Sequence, residues 1–343
     1  MVSFEYLVNP VEAQAAPVWA VALGRDFQPA PFDRLAWWSA LHELCLSDEQ
    51  PLLALANEGE ARCALALMRS PGSGQLRSLA NWYSFWARPV FAGGGETLLP
   101  ALARDLARRA RRISLFPLAA ADAAPVAQAF EAAGWNVRAE QIDVNHRVEL
   151  AGRSFAEYWG ARPGRLRETV RRKGSKGAVT LRIAEHFAPS DWADYEAVYA
   201  QSWKPEEGSL AFLRRFAESE AAAGSLRMGL AHIGGQPVAA QLWTVEHGTA
   251  YIHKLAHVED AKTHSPGTLL SHALFAHAID RDRVHAIDFG TGDDAYKRDW
   301  MEAVRPMLRL DMHRPRDPLS WPHLLRNRLR GPGFPLAALR HGG

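Results

Sequence analysis

The segment Leu226–His257 constrains this chain more than any other. It holds three strand-like runs, Leu226–Ile233, Pro237–Glu246 and Thr249–His257, separated by Gly234-Gly235 and His247-Gly248. Two-residue glycine-bearing turns between apolar runs are a strong hairpin signal, because both turn positions need a positive φ. The three runs predict an antiparallel meander. Before it, Ala178–Ala184 predicts a short strand, and Asp191–Trp203 and Ser209–Ala223 predict helices, the first with Ser190 as N-cap. After it, Val258–Ser265 reads as a loop, and Pro266-Gly267 opens a helix to about Asp282. Proline suits a first helical turn, where its missing N–H would have no partner anyway. Val284–Phe289 predicts a buried strand, Asp293 or Asp294 caps a helix to about Met301, and Ala303–His313 predicts a last strand. The order is β-α-α-β-β-β-α-β-α-β.

The first half repeats the later part of that order. Leu52–Ala56 and Arg62–Met68 predict a hairpin around Asn57-Glu58-Gly59, and Gln75–Trp82 a further strand. Gly93-Gly94-Gly95 precedes a helix over Thr97–Ala110, followed by strand Ile113–Pro117, helix Ala124–Ala133 and strand Asn136–Val148. GGGETLLPALARDLARRARRISLFPL and HSPGTLLSHALFAHAIDRDRVHAIDFG both run glycine, Thr-Leu-Leu, helix, basic residues, short strand. This order points to an internal duplication. The expected fold class is α/β, with tandem lobes that are each a mixed, mostly antiparallel sheet flanked by helices. The lobes fall at 1–150 and 151–313, with a basic, proline-rich tail at 314–343.

A chain of 343 residues, 48% hydrophobic, is long enough for two domains with sizeable cores. The formal charge of +2 gives no global argument for nucleic acid or an anionic membrane. Two cysteines, Cys45 and Cys63, make neither a disulfide framework nor a zinc site. The N-terminus lacks a secretory pattern and no run is long enough to span a bilayer, so the expectation is a cytoplasmic protein. Trp37, Trp38, Trp82 and Trp86 are expected in cores or interfaces. Residues 162–176, RPGRLRETVRRKGSK, read either as a solvated helix ending near Gly174 or as a clamp for phosphates, an acidic lipid surface or RNA. The tail reads as surface-packed or as a basic amphipathic helix lying on a membrane.

Three groups of residues could carry chemistry. His264–Leu270 lies at a strand–loop–helix junction, where the first helical N–H groups lack internal partners and attract anions. Gly267 lets the backbone come close, and Ser265 and Thr268 add hydroxyls, while plain N-capping by Ser265 is the structural alternative. His253 lies mid-strand; by alternation it shares a face with Tyr251 and Leu255 while Lys254 points the other way. It is a candidate base for an amine proton or a core histidine. Glu246 is a weaker candidate, and His257 and His264 flank the loop. Asp288–Lys297 follows the short strand. There Tyr296 could protonate a leaving sulfur, Asp288 could orient a base or bind the amine, Asp293 could cap the helix, and Lys297 could pair with a phosphate.

Tyr251–Leu255, Ser265–Leu270 and Asp288–Trp300 (DFGTGDDAYKRDW) resemble the BioF2-like, or CelD-like, acetyltransferase group of the GNAT superfamily, itself related to the FemAB peptidyltransferases. The matching positions are Lys254, Ser265-Pro266-Gly267, Asp288-Phe289, Gly292-Asp293, Tyr296-Lys297 and Trp300. Arg165–Lys176 resembles the group's arginine-rich helix, and Asn81–Ser84 a first-lobe element. The likeness covers roughly residues 50–312, but the ordinary Arg/Gln-x-x-Gly-x-Gly/Ala loop is replaced by Ser265–Thr268. It implies tandem GNAT-like lobes, the first degenerate. It also implies a catalytic set of His253, Tyr296 and Asp288, and a donor-binding set of Ser265, Gly267, Thr268, Lys254 and Lys297. The implied activity is transfer of an acyl group from acyl-CoA, as co-substrate, to an amine on a lipid, polysaccharide or peptide precursor, with possible peripheral membrane contact. With no cysteine near the motifs, attack would be direct. The rivals are a FemAB-like transferase using aminoacyl-tRNA and a non-catalytic scaffold.

Overall fold

A computed structural model describes residues 1–69, 75–202, 204, 207–315, 321 and 333–336. Its strands are β1 (Ser3–Leu7), β2 (Gln50–Glu58), β3 (Ala61–Arg69), β4 (Leu76–Ser78), β5 (Val90–Ala92), β6 (Arg112–Ala119), β7 (Asn136–Glu149), β8 (Thr180–Ala184), β9 (Leu226–Ile233), β10 (Gln236–Glu246), β11 (Thr249–His257), β12 (Ala286–Thr291) and β13 (Ala303–His313). The helices are α1 (Pro10–Ala15), α2 (Pro17–Ala22), α3 (Leu35–Cys45), α4 (Leu99–Leu106), α5 (Ala120–Ala132), α6 (Phe155–Gly160), α7 (Gly164–Gly174), α8 (Pro189–Ala200), α9 (Leu210–Ala222), α10 (Pro266–Ala276) and α11 (Lys297–Trp300). The fold is α/β, built from mixed, mostly antiparallel sheets flanked by helices. Two compact units form: Met1–Val144 with Arg305–Gly343, and Asn145–Val304.

In the first unit β1, β2, β3 and β4 pair antiparallel in turn, β4 pairs parallel with β6, and β6 pairs antiparallel with β13. α4 and α5 cover a core containing Leu65, Leu102, Phe130 and Trp135. The expected strand Gln75–Trp82 is short because Asn81 accepts the Tyr83 N–H at 3.0 Å and turns the chain. Trp37, Trp38 and Trp86 are buried as expected, but Trp82 is exposed. The elements before residue 50, β1 and α1 to α3, have no counterpart among the sequence expectations.

In the second unit β8, β9, β10 and β11 pair antiparallel, β11 pairs parallel with β12, and β12 takes residues 145–149 of β7 as its antiparallel neighbour. Both expected tight turns hold two positive φ angles, 56° and 81° at Gly234-Gly235 and 44° and 73° at His247-Gly248. These are the angles that match a hairpin to the twist of its strands. The expected division at 313 needs correction. β13 closes the first unit, because Met307–His313 pair with β6 and bury Leu308, Leu310 and Met312 in that unit's core. Ser190 is not the cap of α8; that place belongs to Ala188, with Pro189 at the first helical position. The 314–343 tail lies outside the described residues except at Arg314, Pro315, Trp321 and 333–336.

α10 carries the candidate anion loop, and one glycine lets it sit on the sheet. A Cβ built on Gly229 of β9 would lie 2.7 Å from Leu274 Cδ1 and 3.0 Å from Leu270 Cδ1. Gly229→Val should therefore lower unfolding stability by about 1–3 kcal/mol through overpacking, measured by urea denaturation. An unchanged or raised midpoint would show that α10 does not depend on this close approach.

Candidate active site

β11 pairs with β10 along its length, but its parallel pairing with β12 ends at Tyr251↔Asp288 while both strands run on. Beyond that point the two strands part. β11 also carries an irregularity: Leu242 of β10 faces Lys254, but Trp243 faces Ile252, so His253 is an extra residue on β11. A bulge of this kind shifts the alternation of side chains by one.

The shift re-sorts the expected faces. His253 packs edge-on against Phe216 of α9, ring centroids 4.8 Å apart, and shares a 2.9 Å hydrogen bond with Thr244 Oγ1. Lys254, expected on the opposite face, reaches the same α8–α9 side, with Nζ 2.9 Å from Glu207 and 6.0 Å from the centre of the Tyr199 ring. Leu255 and His257 instead face the start of α10. The expected pairing of His253 with Leu255 is thus corrected by the bulge.

α10 begins with Ser265 in the left-handed region, φ 54°, and the Ser265 side chain makes no capping hydrogen bond. Pro266 has no N–H, and the Leu269 N–H donates to Ser265 O, so the N–H groups of Gly267 and Thr268 are the ones left pointing outward. Plain N-capping is therefore not what Ser265 does. Buried Gln241 fixes this helix start, its Nε2 donating to Gly267 O at 3.2 Å and to Ser271 Oγ at 2.8 Å. Trp243 Nε1 in turn donates to Gln241 Oε1 at 2.9 Å. Sequence reading missed Gln241; its one signal is a lone amide within the apolar run PVAAQLW.

The loop opens on a pocket of roughly 330 Å³ lined by Ser265, Gly267, Thr268, His257, Tyr296 and Trp300 among others. Trp300 is held in place by aromatic stacking on Phe275 at 4.7 Å, and its carbonyl accepts from Tyr158 Oη at 2.6 Å and Arg162 Nη1 at 3.0 Å. Tyr296 packs edge-on to Phe289 at 5.8 Å. Burial and the Asp294 charge push its phenol well above the ordinary value, so it stays protonated at neutral pH.

Of the expected site residues, the pocket gathers Ser265, Gly267, Thr268 and Tyr296, and leaves His253, Asp288, Lys254 and Lys297 off its walls. Asp288 is fully buried: its Oδ1 accepts from Asn145 Nδ2 at 2.7 Å and from the Gly290 N–H at 2.9 Å, and Arg147 lies 3.7 Å from Oδ2. It ties the end of the β11–β12 pairing to β7. Lys297, expected on a phosphate, donates to Thr291 O and lies 5.4 Å from the centre of the Phe289 ring. It closes the loop between β12 and α11. Asp293 does not cap α11, whose N-cap is Tyr296; it accepts from Arg298 and approaches His146 Nε2 at 3.2 Å. Lys204, which the sequence reading passed over, has its ammonium drawn down to about 8 by burial and by repulsion from Lys254.

Burial and the neighbouring Lys254 charge lower the His253 imidazole from 6.5 to about 3. A histidine depressed in the folded state binds fewer protons there than in the unfolded chain, so stability rises with pH between those two values. Acidification below about 6.5 should erode stability, and His253→Gln should flatten that slope. Urea midpoints across the interval check this; equal slopes in wild type and variant would contradict it.

Residues 161–298 match the family model described as an acetyltransferase (GNAT) domain. No curated protein matches the chain in sequence. Among solved structures the chain is similar to FemX, with a TM-score of 0.63 at 10% identity over 92% of this chain and 99% of that one. It is similar to the C-terminal domain of a putative lysylphosphatidylglycerol synthetase from Agrobacterium fabrum, with a TM-score of 0.58 at 15% identity over 94% and 97%. A tandem GNAT protein from the clavulanic acid biosynthesis pathway gives 0.50 at 14% over 92% and 100%. At such identities the structural likeness speaks for the fold, and the family model speaks for the chemistry. The match at residues 161–298 is to a GNAT acetyltransferase domain, and the protein is an acyltransferase.

Proposed function

We propose that the second unit moves an acyl group from an acyl-CoA-type thioester to a primary amine by direct attack. The observation that carries this reading is the uncapped start of α10, opening onto a pocket that also holds a protonated phenol. The donor pyrophosphate lies on the Gly267 and Thr268 N–H groups, with the Ser265 and Thr268 hydroxyls and Lys262 at its edge. The pantetheine arm follows β11 beyond Tyr251, where the ladder to β12 has ended and the strand can offer peptide hydrogen bonds. The amine nitrogen attacks the thioester carbon, the C–S bond breaks, and Tyr296 gives its proton to the leaving sulfur. The nitrogen's proton passes to water, and Tyr296 is reprotonated from solvent. Because water is a weak base, the amine must arrive uncharged, and the rate should rise with pH as the amine deprotonates. Asp288 acts as a positioning residue for the strand ends.

The same reading takes the chain into the CelD-like group, with a lipid, polysaccharide or peptide precursor as acceptor and a peripheral membrane location. Among the described residues no helix is long and apolar enough to cross a membrane. One observation favours a second donor, aminoacyl-tRNA. Lys173 on basic α7 donates to Thr263 O, two residues before Ser265, and Arg172 and Lys176 stand exposed beside it.

Tyr296→Phe should lower kcat by about 10²-fold with little change in KM, whereas Gly267→Asp should weaken coenzyme A binding by about tenfold or more. Steady-state kinetics and calorimetry check both; an unaltered kcat in Tyr296→Phe would remove its role as acid. Thermal shifts with acetyl-CoA, long-chain acyl-CoA and free coenzyme A decide the donor. Saturation at about a hundred times the dissociation constant should add about 2.7 kcal/mol. No shift with any thioester, together with tRNA binding that falls steeply with salt, would favour the second donor.

A further inference from the structure

A cavity in the first unit measures roughly 690 Å³, within the range of small-molecule sites. Leu99 and Val126 form part of its apolar wall. Its charged lining is three carboxylates, Asp33, Glu96 and Asp122, against one guanidinium, Arg88. Arg88 is already engaged, with Nη2 donating to Asp33 Oδ2 at 2.9 Å and Nη1 to Asp122 Oδ1 at 3.1 Å. Asp33 also accepts from Trp86 Nε1 at 3.0 Å. The Asp33 side chain is only 2% exposed. A buried ion pair brings little net stability compared with apolar packing. Its place on a cavity wall therefore asks for a use.

The internal duplication locates this cavity. Thr97-Leu98-Leu99 matches Thr268-Leu269-Leu270, which sets Gly94 against Ser265 and Glu96 against Gly267. Gly94 is left-handed, φ 81°, at the cap of its helical turn, as Ser265 is at φ 54°. The two pockets thus lie at the same turn of the repeated motif. In the second unit the turn offers N–H groups at a glycine. In the first, a carboxylate stands at that position, and no hydrogen bond or ion pair engages Glu96 among the described residues. A phosphate is rejected there. Asp33 and Asp122 already compensate Arg88, so an anion elsewhere in the cavity would meet an excess of negative charge.

We propose that the first-unit cavity is a second ligand site, which takes an organic cation: an ammonium head at Glu96 and Asp122 with an apolar body along Leu99 and Val126. The site is opposite in charge preference to the helix start of the second unit and independent of what donor that unit uses.

Calorimetric titration of the full-length protein with n-hexylamine, hexanoate and hexanol at neutral pH tests this. Hexylamine should bind one to one, at least about tenfold tighter than the other two. Glu96→Lys and Asp122→Asn should each weaken it by about tenfold or more; both side chains are partly or fully exposed, so the variants are expected to fold. Equal affinity for hexanol, tighter binding of hexanoate, or undiminished hexylamine binding in Glu96→Lys would each overturn the proposal. Since the amine is titrated alone, the result stands whether or not coenzyme A binds.

Discussion

β11 serves two neighbours unequally, and the second unit is arranged around that inequality. It keeps its antiparallel ladder with β10 but holds β12 for only three residue pairs, Thr249↔Ala286 to Tyr251↔Asp288. Backbone groups beyond Tyr251 on that side need another partner or water, since a buried unpaired N–H or C=O is costly. The extra residue at His253 falls just past the parting. It turns Lys254 toward Glu207 and hands Leu255 and His257 to the pocket. Asp288 fixes where the parting begins, gripping Asn145 and the Gly290 N–H. The start of α10 is set by Gln241 from below and by the absence of a side chain at Gly229.

The two copies of the motif differ at one decisive position. Both helical starts use a left-handed cap residue. Gly267 leaves that surface positive, while Glu96 reverses it. The last strand of each half pairs within the other compact unit: β7 residues 145–149 on β12, and β13 on β6. The two units are therefore not simple consecutive segments of sequence.

Much of the frame was legible. The three strands of the meander, their two tight turns and the proline start of α10 follow from local chemistry: positive φ at glycine, alternation, and a missing N–H where none is needed. What escaped is what depends on distant partners. No local pattern distinguishes a bulged strand from a regular one, so the faces of His253, Lys254 and Leu255 could not be assigned correctly. Asp293 looks like a cap, but Arg298 and His146 draw it away. Lys297 looks available to phosphate, but the Thr291 carbonyl is closer along the folded chain. β13 reads as the end of the second lobe because sequence shows order and not the partner β6.

The central claim is that the donor's anionic group rests on the first N–H groups of α10. Backbone amide NMR of the full chain during titration with coenzyme A tests it most directly. The account predicts that the Gly267 and Thr268 amide resonances move most, and that those of Gly94 and Gly95 stay in place. Shifts confined to α7, or shared equally by both helical starts, would contradict it.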